Sequence, residues 1–71
     1  MEKRGEKVGI FAQRLRAARK RRGLTQQQMA DHLNIHRTAY TKYETTDVEP
    51  SLFTFGKIVR ILDVDPMDLL E

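Results

Sequence analysis

The segment Leu24–Glu44, LTQQQMADHLNIHRTAYTKYE, constrains the fold of this chain more than any other stretch. It reads as two short helices joined by a tight turn. Thr25 stands three residues before Gln28, a capping-box spacing in which hydroxyl and side-chain amide satisfy two backbone N–H groups that a helix start leaves unpaired. Met29, Ala30 and Leu33 then recur at helical intervals as a buried stripe. Asn34 is placed to stop this helix, because Asn tolerates the left-handed conformation better than most residues with a side chain. The next helix is expected to begin at Arg37, with Ile35 and Tyr40 forming a hydrophobic staple across its start. Ala39, Tyr40 and Tyr43 share its inner face, and Arg37, Thr38, Thr41 and Lys42 occupy the other. A helix that buries one side and offers Arg, Thr and Lys on the other suits insertion into a DNA major groove.

The flanking sequence supplies the rest of an all-α domain. Met1–Gly9 is rich in Lys, Glu and Gly and is expected to be a flexible basic tail, with the folded domain spanning residues 10–71. From Ile10 the spacing becomes helical: Phe11, Leu15, Ala18 and Arg22 line one face of a helix that ends near Gly23, while Arg14, Arg16, Lys20 and Arg21 point outward. Thr45–Pro50 reads as a loop, since proline disfavours helix in the residue before it. Ser51 is expected to cap a fourth helix to about Leu62, with Leu52, Phe55, Ile58, Val59 and Leu62 inward. Asp65 followed by Pro66 opens a short fifth helix through Leu70. There is no internal repeat and no segment that reads as a strand.

Seventy-one residues without cysteine must rely on efficient helix packing, because no disulfide staple is available. The lack of Cys also excludes thiolate catalysis, zinc fingers and a secreted disulfide scaffold. No apolar run approaches the ~20 residues that span a bilayer, and no signal-peptide pattern opens the chain, so a soluble cytoplasmic protein is expected. Net charge is only +3 but unevenly placed: Met1–Arg22 holds nine Lys/Arg against two Asp/Glu, whereas Asp47–Glu71 holds two against six. A cationic end is the footprint of a polyanion binder, although a solvated charged surface explains it equally well.

The stretch Leu15–Leu70 resembles the lambda-repressor-like, Cro-type helix-turn-helix family, also called the XRE family. The resemblance rests on Leu15, Arg19, Gly23-Leu24-Thr25-Gln26, Met29-Ala30, Leu33, Ile35, Tyr40, Glu44, Pro50-Ser51-Leu52, Leu62 and Asp68-Leu69-Leu70, in the family's order and spacing. It implies a compact five-helix domain with the helix-turn-helix at helices two and three. It also implies a transcriptional regulator, a repressor among the candidates, acting as a homodimer on double-stranded DNA with a pseudo-palindromic operator. The expected DNA-contacting set is Gln26, Gln27, His36, Arg37, Thr38, Thr41 and Lys42: Gln26 at phosphate, Arg37, Thr38 and Lys42 at base edges, Thr41 at either. Arg19 and Glu44 match a family ion pair between the first and third helices. Three positions depart from the pattern. Asn34 stands where the family often has Gly, a mild change. His36 replaces a Ser or Thr cap, leaving the start of the recognition helix less well satisfied or putting His36 itself on a phosphate. Thr46 stands where a glycine is common, so the following loop is expected to take another shape.

Each candidate has a plainer reading beside it. Arg37 matches guanine O6 and N7 bidentately, or is a solvated surface arginine; Lys42 has the same pull with less geometric definition. The basic arm Lys3, Arg4 and Lys7 either follows a groove or stays a tail. Tyr40 and Tyr43 suggest a stacking platform, but their apolar-side spacing favours core packing with hydroxyls reaching the surface. His32 and His36 are four apart as in helical metal pairs, yet the turn at Asn34 separates them and no third ligand is evident, so no metal or other cofactor is expected. With no nucleophile system and no Gly-rich phosphate loop, neither is catalysis. Phe53 falls outside the apolar stripe of its helix and is a candidate dimer contact. The competing function is a protein-interaction module on the same scaffold, antitoxin-like or coactivator-like, with a toxin or polymerase as partner. No ligand-sensing or cleavable domain is evident, and regulation is expected through concentration, dimerisation or a separate partner.

Overall fold

The computed structural model describes residues 9–71 and consists of five helices: α1 (Ile10–Arg22), α2 (Gln26–Leu33), α3 (Arg37–Thr45), α4 (Leu52–Leu62) and α5 (Pro66–Leu70). Among the described residues there is no strand. Residues 1–8 of the expected tail lie outside the described range. Gly9, its last member, is the N-cap of α1, and its N–H donates to Asp47 Oδ1 at 3.1 Å.

Three of the helices end in the same way. Gly23, Asn34 and Asp63 adopt left-handed φ values of 81°, 59° and 55°. The residue after each reaches back five positions: Leu24 N–H to the Arg19 carbonyl at 3.1 Å, Ile35 to Ala30 at 3.0 Å, Val64 to Val59 at 3.3 Å. This closure satisfies carbonyls that a helix end leaves open, and it turns an apolar residue inward. Leu24, Ile35 and Val64 are all half-buried against the core. Each stop signal therefore also anchors the connection that follows it.

The starts are more varied. Thr25 and Gln28 complete the capping box of α2, Ser51 accepts from Thr54 N–H at 3.1 Å, and Asp65 accepts from Met67 N–H at 3.0 Å beside Pro66. His36 caps α3 with no side-chain bond to its first turn. The core gathers Leu15 and Ala18 of α1, Met29, Ala30 and Leu33 of α2, Tyr40 of α3, Ile58 and Leu62 of α4, and Leu69 of α5. Helix α1 packs on α3 and α5, while α2 packs on α3 and α4. No described helix is long and apolar enough to cross a membrane.

Four local expectations change. Thr45 belongs to α3 rather than the loop, its hydroxyl bonded to the Thr41 carbonyl at 2.9 Å. Ala39 is exposed: the inner face centres on Tyr40 and Glu44, and Ala39 lies about 100° round the axis from Tyr40. Leu52 is 86% exposed, because it opens the first turn of α4 beyond the layer that covers Ile58 and Leu62. Arg22 is exposed as well, with its Nε donating at 3.4 Å to the Ile61 carbonyl; the stem lies over α4 and the charge stays in water.

Candidate nucleic-acid interface

Helix α3 carries two sets of side chains with opposite fates. Arg37, Thr38 and Lys42 are exposed, and among the described residues none of their side chains makes a hydrogen bond or ion pair. Tyr40 and Glu44, one turn apart on the other side, are buried. Burying Glu44 at 3% exposure is costly unless the charge is paired and its lone pairs are filled. Both conditions are met. Arg19, itself only 7% exposed, donates from Nε to Oε2 at 2.7 Å and from Nη2 to Oε1 at 3.1 Å. The Tyr40 hydroxyl donates to Oε2, and Gln26 Nε2 donates to Oε1 at 3.1 Å. Four donors thus occupy the roughly four acceptor positions of the carboxylate.

This cluster ties three helices together. The third arm of Arg19, Nη1, donates to the Leu24 carbonyl at 2.8 Å, so one guanidinium holds the end of α1, the turn before α2 and the end of α3. Burial alone would raise the Glu44 pKa, but the donors from Arg19, Tyr40 and Gln26 outweigh it and hold the carboxyl below its usual range. The Glu44 hydrogen bond raises the Arg19 pKa against the opposing effect of burial. Burial, reinforced by the Glu44 acceptor, pushes the Tyr40 hydroxyl well above its ordinary value. The cluster is an ionised pair with a neutral phenol.

The sequence pattern places Tyr40 in the core but not its hydroxyl, which turns to Glu44 instead of reaching the surface. The i, i+4 spacing of Tyr40 and Glu44 was the signal available for that bond. The pattern also misses the bond from Thr41 Oγ1 to Gln26 Oε1, at 3.2 Å across the helix-turn-helix. Gln26 and Thr41 are half-buried at the rim of the exposed face, whereas Gln27, His32 and His36 are exposed. Gln27 donates from Nε2 to Asp31 Oδ1 at 2.9 Å along its own helix. Among the described residues no three His, Asp or Glu side chains gather as a metal site.

Beyond α3, Thr46 has an extended backbone and its hydroxyl does the closing: Oγ1 donates to the Lys42 carbonyl at 2.7 Å and accepts from Val48 N–H at 3.1 Å. A glycine there would have no such bonds. Phe53 is 75% exposed, with the Lys57 ammonium 4.9 Å from its ring centre. Next to it, Leu52 and Leu70 border a shallow apolar groove floored by Phe11, Pro50 and Phe55.

Comparison with known proteins fits this geometry. The helix-turn-helix family profile matches residues 15–69. Over 62 residues the chain is 49% identical to the uncharacterized HTH-type transcriptional regulator YqaE of Bacillus subtilis, covering 87% of this chain and 53% of that protein. It is 44% identical to the SPbeta prophage-derived uncharacterized HTH-type transcriptional regulator YonR of the same organism, covering 87% of this chain and 57% of that one. The chain therefore spans about half the length of these curated relatives. Among solved structures, the restriction-modification controller protein C.AhdI from Aeromonas hydrophila superposes with a TM-score of 0.74 at 32% identity, over 83% of this chain and 89% of that one. The chain belongs to the lambda-repressor-like, XRE-type helix-turn-helix family of DNA-binding transcriptional regulators.

Proposed function

We propose that this protein is a sequence-specific regulator that binds a pseudo-palindromic operator as a homodimer, with α3 of each subunit in successive major grooves about one helical turn (roughly 34 Å) apart. The observation that carries this reading is the division of α3. Its buried side is locked by Arg19 and Glu44, and its open side presents Arg37, Thr38 and Lys42 without competing partners among the described residues. In this arrangement Arg37, Thr38 and Lys42 meet base edges, with Thr41 beside them. Gln26, Gln27 and His36 lie at or near the helix starts and set register on the backbone. The second subunit docks against the face that includes Phe53 and Leu52, where two of the largest exposed apolar side chains of the domain stand side by side.

Selection from a randomised duplex library at near-physiological salt tests the reading. An enriched inverted repeat with half-sites near one turn apart supports it. Recovery of no motif, with binding that vanishes as salt rises, overturns it. That second outcome favours the other use of the same exposed face, docking of a different protein such as a toxin or polymerase.

A further inference from the structure

The buried ion pair also bears on which bases one residue can accept. A carboxylate only accepts hydrogen bonds, and Glu44 is held ionised by the two-point contact with Arg19. The Gln26 amide must therefore turn its nitrogen toward Glu44, where the N···O distance is 3.1 Å. Its carbonyl oxygen is then fixed on the side of Thr41. A carbonyl only accepts, so the Thr41 hydroxyl spends its single proton on Gln26. What remains on Thr41 is lone pairs. The direction of every bond in the series Thr41 to Gln26 to Glu44 is set by the one group that cannot donate.

We propose that Thr41 acts toward DNA as a hydrogen-bond acceptor only, selecting a base that offers a donor in the major groove, cytosine through N4 or adenine through N6, and that Gln26 is the positioning residue that imposes this polarity. The proposal rests on the reading of the protein as a sequence-specific regulator. Guanine and the hydrogen-bonding edge of thymine present acceptors there, and a phosphate presents nothing else. A threonine with a free hydroxyl would serve all of these equally. The relay removes that indifference and assigns Thr41 to a base edge rather than to the backbone.

The test is library selection with the full chain carrying Thr41→Ser, Thr41→Val or Gln26→Leu, beside the wild type, with thermal melting to verify that each is folded. Wild type and Thr41→Ser should prefer cytosine or adenine at one position of each half-site. Thr41→Val should lose that preference by about fivefold, the worth of one ordinary hydrogen bond. Gln26→Leu frees the Thr41 proton, and should flatten the ratio at that same position on top of any general loss of affinity. A second measurement stands apart from packing changes. Replacing the chosen base by an analogue without the exocyclic amine should weaken wild type about fivefold and leave Thr41→Val unaffected. Every base pair carries one exocyclic amine in the major groove, on one strand or the other, so the analogue decides: a wild type that loses no affinity when that amine is removed, or a Thr41→Val that loses as much, overturns the proposal. So does a loss in Thr41→Val that is uniform over all sequences, or an unchanged profile. A wild type that enriches no motif overturns the regulator reading itself, an outcome distinct from these.

Discussion

Glu44 shows how much one buried carboxylate can decide in a domain this small. Removing its charge while leaving Arg19 in place strands a guanidinium, and Glu44→Gln is expected to cost about 3–5 kcal/mol. Replacing both partners, as in Arg19→Met with Glu44→Leu, should recover part of that loss, because apolar side chains of similar volume need no pairing and the remaining buried cost is chiefly the Tyr40 hydroxyl left without its acceptor. Thermal melts of the three proteins check this; a double variant no more stable than Glu44→Gln contradicts it. The same residue sets an acid limit. Its folded pKa is lowered from the usual 4.5, so its stabilisation is complete above that value and is lost as pH falls through the folded pKa. Wild type should lose stability steeply below about pH 4, and the double variant should show a shallower slope in denaturant titrations across the same range. Arg37 belongs to the other class. It is exposed and unpaired among the described residues, so Arg37→Ala should leave the melting temperature nearly unchanged. It should erase about 1–3 kcal/mol of discrimination at one base position. An unchanged profile across operator variants would end its assignment to a base.

The helices themselves were largely legible, since their limits are written in residues with specific backbone roles. Thr25 with Gln28, Ser51, and Asp65 with Pro66 mark starts; Gly23 and Asn34 mark stops with positive φ. Gly23 permits a direct check. A methyl group added there meets no atom within 4 Å, so the cost of Gly23→Ala is the left-handed backbone alone. It should be about 1–2 kcal/mol, a fall of several degrees in melting temperature. Periodicity failed in two particular ways. It treats every apolar residue at the right interval as covered, which misplaced Leu52 and Ala39, whose positions no neighbouring layer reaches. It also scores Tyr40 by its ring and ignores its hydroxyl, so it could not see the bond to Glu44. The partnership of Arg19 with Glu44, 25 residues apart, has no local signature at all and came only from family resemblance.

For the domain as a unit, the notable asymmetry is between a charged face at α1 and α3 and an apolar one around α4 and α5. Leu52 and Phe53 are 86% and 75% exposed, and the proposed homodimer would cover both. Leu52→Asp with Phe53→Asp should shift the protein to a monomer in sedimentation velocity. It should weaken operator binding at least tenfold while leaving single half-site affinity unchanged. A variant that stays dimeric places the subunit contact elsewhere.

The two sides of α3 also have an evolutionary meaning. Tyr40, Thr41 and Glu44 are engaged with the rest of the fold: Tyr40 donates to Glu44, Thr41 to Gln26, and Glu44 accepts from Arg19, Tyr40 and Gln26 at once. Arg37, Thr38 and Lys42 have no such obligations among the described residues. Under the base-reading role proposed for them, these three positions could drift after a gene duplication independently of folding, one codon at a time, and give daughter proteins new targets without an unstable ancestor.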